Sequence, residues 1–189
     1  MEQKNYSVGL DIGTTKIVAI IGKENEYGKI EVLGIGRSRS LGVHRGVVNN
    51  ITQTIQSIQQ AVDQAVENSG IEIDSVTVGI AGQHIRSLQH SDYITRPNPE
   101  EVIGEEDLEK LCNQVYKLVM LPGEEIIHVL PQEYIVDDQA GIHNPIGMAG
   151  VRLEAKIHIV TGAGTSAHNI VKCANRAGLD VCDLVPVSY

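Results

Sequence analysis

Ser7-Val8-Gly9-Leu10-Asp11-Ile12-Gly13-Thr14-Thr15-Lys16-Ile17-Val18-Ala19-Ile20-Ile21 decides how this chain folds. Residues 7–11 and 16–21 are apolar runs with β-branched residues, separated by a stretch that has room for a turn and nothing more. They read as two strands of an antiparallel hairpin. Turn residues at 25–29 lead into 30–36, whose alternation suits a third strand, so the chain opens with a meander.

Beyond it, residues 37–46 are rich in Gly, Arg and Ser and read as a polar loop. Ile51, Ile55, Ile58, Val62 and Val66 then recur at steps of three and four, with Gln56, Gln59, Gln60, Asp63 and Glu67 on the other face. That periodicity predicts an amphipathic helix, capped by Asn49 or Asn50 and closed by Gly70. Residues 76–81 return as a strand, which makes the helix the crossover of an α/β sheet.

After Gly82 the pattern changes. Residues 85–95 look β-like and end at Pro97 and Pro99. An acidic first turn at Glu105, Glu106 and Asp107 opens a helix with Leu108, Leu111, Val115 and Leu118 as its stripe and Pro122-Gly123 as its stop. Residues 126–136 read as a strand in which Pro131 demands a bulge or an edge. Val151, Leu153, Ala155, Ile157 and Ile159 alternate with Arg152, Glu154, Lys156 and His158, a strand with one wet face. The α/β character then resumes. Thr165 or Ser166 caps a helix carrying Ile170, Val171, Ala174 and Ala177, Gly178 ends it, and residues 181–187 form a last strand.

The net charge of −9 repels a phosphodiester backbone, which argues against nucleic acid as a partner. Residues 1–6 lack the basic and apolar regions of a signal peptide, and the strongest apolar run, 17–21, is too short to span a bilayer. Cys112, Cys173 and Cys182 form no C-x-x-C and read as buried, reduced thiols of a cytoplasmic protein. None of the seven His pairs with another residue at metal-ligand spacing, so no metal cage is expected.

The candidate site is Asp11-Ile12-Gly13-Thr14-Thr15-Lys16. It is no P-loop, since a strand and not a helix follows. Gly13 is expected to permit a turn whose successive N–H groups face outward, a concavity for anionic oxygens. Thr14 and Thr15 add hydroxyls, Lys16 a compact cation, and Asp11 a carboxylate able to hold Mg²⁺ through water. The same residues also satisfy a plain hairpin turn with no ligand. Arg37, Arg39 and Arg45 read as a solvated connection.

An Asp-x-Gly-Thr-Thr hairpin leading to a third strand and a crossover helix resembles the first phosphate loop of the actin and sugar-kinase superfamily, whose members bind ATP and Mg²⁺ between two α/β domains. Three further stretches are similar to the FtsA family of bacterial actin-like cell-division proteins. They are Ile127-His128-Val129-Leu130-Pro131-Gln132-Glu133-Tyr134, the run from Gly141-Ile142-His143-Asn144-Pro145 to Val151-Arg152-Leu153-Glu154-Ala155-Lys156, and Ser40-Leu41-Gly42-Val43-His44-Arg45-Gly46-Val47-Val48-Asn49.

The resemblance implies an actin-like (ribonuclease H-like) ATPase subdomain 1A, residues 1–83 and 161–189, interrupted by a small α+β subdomain 1C at 84–160. It implies that Asp11, Gly13, Thr14, Thr15 and Lys16 form the nucleotide-binding phosphate loop, with ATP and Mg²⁺ as cofactors. A second actin-like domain, the surface for the tubulin-like protein FtsZ and a membrane-binding C-terminal helix are then expected after Tyr189. The full-length protein would polymerise, link the FtsZ ring to the cytoplasmic face of the inner membrane at the division site, and recruit later division proteins through 84–160. At most weak ATPase activity is implied, with no catalytic residue in this chain. Half a nucleotide site should bind ATP at about millimolar affinity at best, because three or four phosphate contacts barely offset the cost of association. A PilM-like pilus-assembly ATPase, a small-molecule kinase of the same superfamily, and a pure interaction module are the alternative readings. No positioned base for a kinase is visible near Thr14.

Overall fold

A computed structural model describes residues 6–81, 85–118, 120–163 and 166–187. In chain order the elements are β1 (Tyr6–Ile12), β2 (Lys16–Glu24), β3 (Ile30–Arg39), β4 (Val43–His44), β5 (Val47–Val48), α1 (Ile51–Ser69) and β6 (Ser75–Ala81). There follow β7 (Ile85–Thr95), α2 (Glu105–Tyr116), β8 (Glu124–Val136), β9 (Gln139–Ile142) and β10 (Arg152–Ala163), and then α3 (Ser166–Arg176) and β11 (Asp180–Val187). Two compact units result, one from residues 1–85 and 163–189, the other from 86–162. The expected helix cap Thr165 and the expected boundary at 83/84 lie outside the described residues.

In the first unit the sheet order is β11-β6-β1-β2-β3. β1, β2 and β3 form the antiparallel meander, and β6 and β11 add in parallel after the helical crossovers α1 and α3. One face is dry, because Leu10, Ile12, Ile17, Ala19, Ile21, Val78 and Leu184 meet Ile58, Ala61, Ala65, Ile170 and Ala174. The other carries Gly9, Asp11, Lys16, Val18, Ile20 and Arg37.

The apolar stripe of α1 is rotated from the expected one. Thr54, Ser57, Ile58, Ala61, Val62 and Ala65 are buried, while Ile51, Ile55 and Val66 are only half-buried. Small residues occupy the contact because α1 lies directly on the backbone of β3. A Cβ at Gly34 would stand 2.8 Å from the Ala65 carbonyl oxygen, and one at Gly36 would overlap the Ala61 carbonyl. The Ser38 hydroxyl donates to the Ser57 carbonyl at 2.5 Å within the same seam. At the ends of α1, the Asn50 side chain accepts the Gln53 N–H at 2.9 Å, and Gly70 turns left-handed at φ 71°.

β3 is an edge strand that α1 closes off. Gln64 Oε1 accepts the Arg37 N–H at 2.6 Å, and Asn68 Nδ2 donates to the Ile35 carbonyl at 2.9 Å. Main-chain groups that would otherwise invite another strand are thereby satisfied. This corrects the loop expected at 37–46. β3 runs on to Arg39, and β4 and β5 make a small hairpin whose turn residues Arg45 and Gly46 have φ of 50° and 76°.

In the second unit the sheet order is β7-β10-β8-β9. Its core gathers Ile103, Leu111, Val115, Val136, Leu153, Ala155, Ile157 and Ile159. α2 stops at Tyr116, well before Pro122-Gly123, and Val151 is exposed and precedes β10. Pro131 sits in a part of β8 that the short β9 does not reach, since β9 pairs only with Tyr134 and Val136. Its missing N–H therefore breaks no bond to β9. Asp137 and Asp138 form a two-residue turn with φ of 44° and 69°. The Asp137 carboxylate accepts the N–H groups of Val151 (3.1 Å) and Arg152 (2.8 Å). Arg96, only 5% exposed, donates to the Asp107 carboxylate and to the carbonyls of Gly150 and Val102.

Candidate functional site

Asp11 and Ile12 are the last two residues of β1 and Lys16 begins β2, so Gly13, Thr14 and Thr15 are the tip of the hairpin. The Gly13 N–H donates to the Lys16 carbonyl at 3.1 Å, and the Ser40 N–H donates to the Thr15 carbonyl at 3.0 Å. These two bonds tie the tip to both neighbouring strands. Gly13 has no positive φ, and its N–H is spent within the turn. The Gly13 amide is therefore not among the N–H groups free to face outward. Gly13 itself is buried. The amides of Thr14 and Thr15 take no acceptor among the described residues, and both residues, like Lys16, are exposed.

A concavity of about 490 Å³ opens here, lined by Asp11, Gly13, Thr14, Thr15, Lys16, Val18, Ile20 and Arg37. All five expected site residues share it. Arg37, expected in a solvated loop, is the member that the sequence reading missed. Pairing explains its presence, because Asp11, Val18 and Arg37 form one row across three strands and so project to the same face. The signal was the alternation Ile35, Arg37, Arg39 continuing the third strand.

Asp11 Oδ1 is buried with no hydrogen-bond partner among the described residues. It lies above Gly79, where a Cβ would stand 3.9 Å from it. A buried carboxylate oxygen left without a donor costs free energy unless a cation or a water satisfies it. The donor set suits a hydrated Mg²⁺, which keeps most of its waters and asks for one or two carboxylates. Among the described residues no three His, Cys, Asp or Glu side chains gather into a metal cage.

The cysteines also differ from expectation. Cys173 is buried, Cys112 is half-buried and Cys182 is exposed. Burial pushes the Cys112 and Cys173 thiols up, which keeps them protonated. Among the described residues no helix is long and apolar enough to cross a membrane.

Residues 82–161 match the family described as the SHS2 domain inserted in FTSA. Over 178 residues the chain is 44% identical to cell division protein FtsA of Pseudomonas aeruginosa and 36% identical to that of Escherichia coli. The chain belongs with the FtsA proteins. Each of those alignments covers 94% of this chain and 42% of the FtsA relative, so the chain spans less than half of the length of the curated relatives it matches. A solved PilM-PilN type IV pilus biogenesis complex aligns with a TM-score of 0.50 at 10% identity, covering 97% of this chain and 48% of the other. At that identity the likeness is one of fold, and the fold is the actin-like one. The SHS2 match overlaps the second compact unit, 86–162, and the candidate site lies wholly in the first.

Proposed function

We propose that the chain is the part of an FtsA-type division protein that supplies one wall of an ATP site and the SHS2 module. The full-length protein would polymerise with bound ATP, join the FtsZ ring to the cytoplasmic face of the membrane, and engage later division proteins through the SHS2 unit. The observation that carries the nucleotide half of this reading is the exposed tip at Thr14 and Thr15, with two unused amides beside Lys16 and the orphaned Asp11 carboxylate oxygen. Those groups suit the phosphate oxygens and a hydrated Mg²⁺. The division half rests on FtsA identity running through nearly the whole chain. The pilus-assembly alternative has a shared fold in its favour and nothing more.

Calorimetry with Mg-ATP tests the reading. The full-length protein should bind with a Kd of about a micromolar or tighter, and the 189-residue chain at about a millimolar. Asp11→Ala and Lys16→Ala should each weaken the full-length protein at least roughly tenfold, the worth of one charge-assisted contact. Micromolar binding by the 189-residue chain itself would show a complete site here and overturn the one-wall reading.

A further inference from the structure

The corner of the sheet that carries the candidate site is more basic than a phosphate turn requires. Lys16 stands directly opposite Arg39 across the β2–β3 pair, and Arg37 is the diagonal neighbour of Lys16. Like charges set opposite each other destabilise a sheet, and diagonal neighbours on one face lie only about 7–8 Å apart. Among the described residues none of the three forms an ion pair, in a chain whose net charge is −9. Arg37 alone of the two arginines lines the concavity. Its backbone is pinned by Gln64, so the direction of its side chain toward the open face is fixed by the fold.

We infer that Arg37 is a phosphate-reading residue of this site, reaching across Val18 to the terminal phosphoryl group of a nucleoside triphosphate. The inference rests on the nucleotide reading above. Val18 is the row neighbour of both Asp11 and Arg37, so the two charged residues are separated by two strand spacings, roughly 10 Å. Thr14 and Thr15 lie at the tip that joins β1 to β2, and Lys16 lies on β2, the middle strand of that span, where the inner phosphates would sit. Arg37 lies at the far side, where only a longer polyphosphate reaches. The planar guanidinium offers paired donors to one phosphoryl group, and with Lys16 engaged by the inner phosphates, Arg37 is the remaining cation that lines the concavity for the additional charge of a triphosphate over a diphosphate. Arg39, outside the concavity, raises the local potential for either ligand alike.

The test is NMR titration of the 189-residue chain with Mg-ATP and Mg-ADP, following the Thr14 and Thr15 amides. The wild type should prefer ATP by roughly tenfold, the low end of what a hydrogen-bonded charge contributes. Arg37→Ala should erase that preference by weakening ATP and leaving ADP unchanged within a factor of about two. Arg37→Lys should retain part of it, since the charge remains and the fork is lost. Arg39→Ala should weaken both ligands equally. Equal loss of ATP and ADP in Arg37→Ala, or no change in either with its fold intact by circular dichroism, overturns the inference while leaving the nucleotide site standing. Failure of the wild type to bind either nucleotide overturns the nucleotide reading and this inference together.

Discussion

Asp137 shows how much one side chain can settle. Its carboxylate holds two main-chain N–H groups, from Arg152 and Val151, and those bonds keep its pKa below the ordinary value of 3.8. The folded form is therefore the weaker acceptor of a proton, and its contribution to stability is complete above the unfolded pKa. It is lost as pH falls through the lower folded one. Asp137→Asn should flatten that acid limb of the stability curve, and thermal melts from pH 6 down to pH 2 would read it. Parallel curves for the two proteins would mean that the bonds do not hold in solution. Arg96 makes the complementary case. It is buried and binds Asp107 and two carbonyls, so Arg96→Ala strands a charge and two acceptors at once and should cost about 3–5 kcal/mol. Arg96→Lys keeps the charge without the fork and should still lose a substantial part, measured by urea unfolding. Neither role was legible beforehand. Arg96 lies beside Pro97 and looks like a loop residue, and Asp137-Asp138 lacks the glycine that usually marks a two-residue hairpin turn.

Elements were far easier to foresee than the way they meet. Hydrophobic period and turn residues place the opening meander, the crossover helix and the alternating strand β10, because each depends on neighbours a few positions away. The seam between α1 and β3 depends on contacts between residues 19 to 33 positions apart, and there the larger aliphatic residues mislead. Ile51, Ile55 and Val66 draw the eye, yet the closest approach is made by Gly34 and Gly36 against Ala61 and Ala65. For the same reason Arg37 looked solvated. Its place in the site follows from a strand pairing that local pattern does not disclose. Gly36→Ala tests the seam. The added Cβ overlaps a helix carbonyl that cannot move alone, so α1 must shift, at a cost of about 3 kcal/mol or more, at the upper end of overpacking penalties. Gly9→Ala, where an added Cβ meets nothing within 4 Å, is the matched control and should cost less than about 1 kcal/mol. Chemical unfolding of the two variants side by side would decide, and equal losses would mean that α1 does not rest on the β3 backbone.

At the scale of the whole molecule, the manner of insertion carries the argument. Gln89 meets His158 at 3.0 Å and the Arg96 N–H bonds the Val151 carbonyl at 2.7 Å, so β7 and β10 run antiparallel as neighbours. The SHS2 unit is therefore entered and left on adjacent strands, whose ends lie about one strand spacing apart, roughly 5 Å. A domain whose termini adjoin imposes little on the chain that hosts it. The unit also closes its own core, with Ile157 and Ile159 of β10 buried beneath Leu111 and Val115 of α2. Residues 86–162 should accordingly fold when expressed alone, giving one cooperative thermal transition and dispersed amide resonances. At 77 residues the margin is small, so the Arg96 clasp should decide the outcome. The isolated unit carrying Arg96→Ala should be largely unfolded at 37 °C while the parent unit is not. A parent unit that lacks a cooperative transition would mean that this core needs the remainder of the chain, and the modular reading of the SHS2 segment would fall with it.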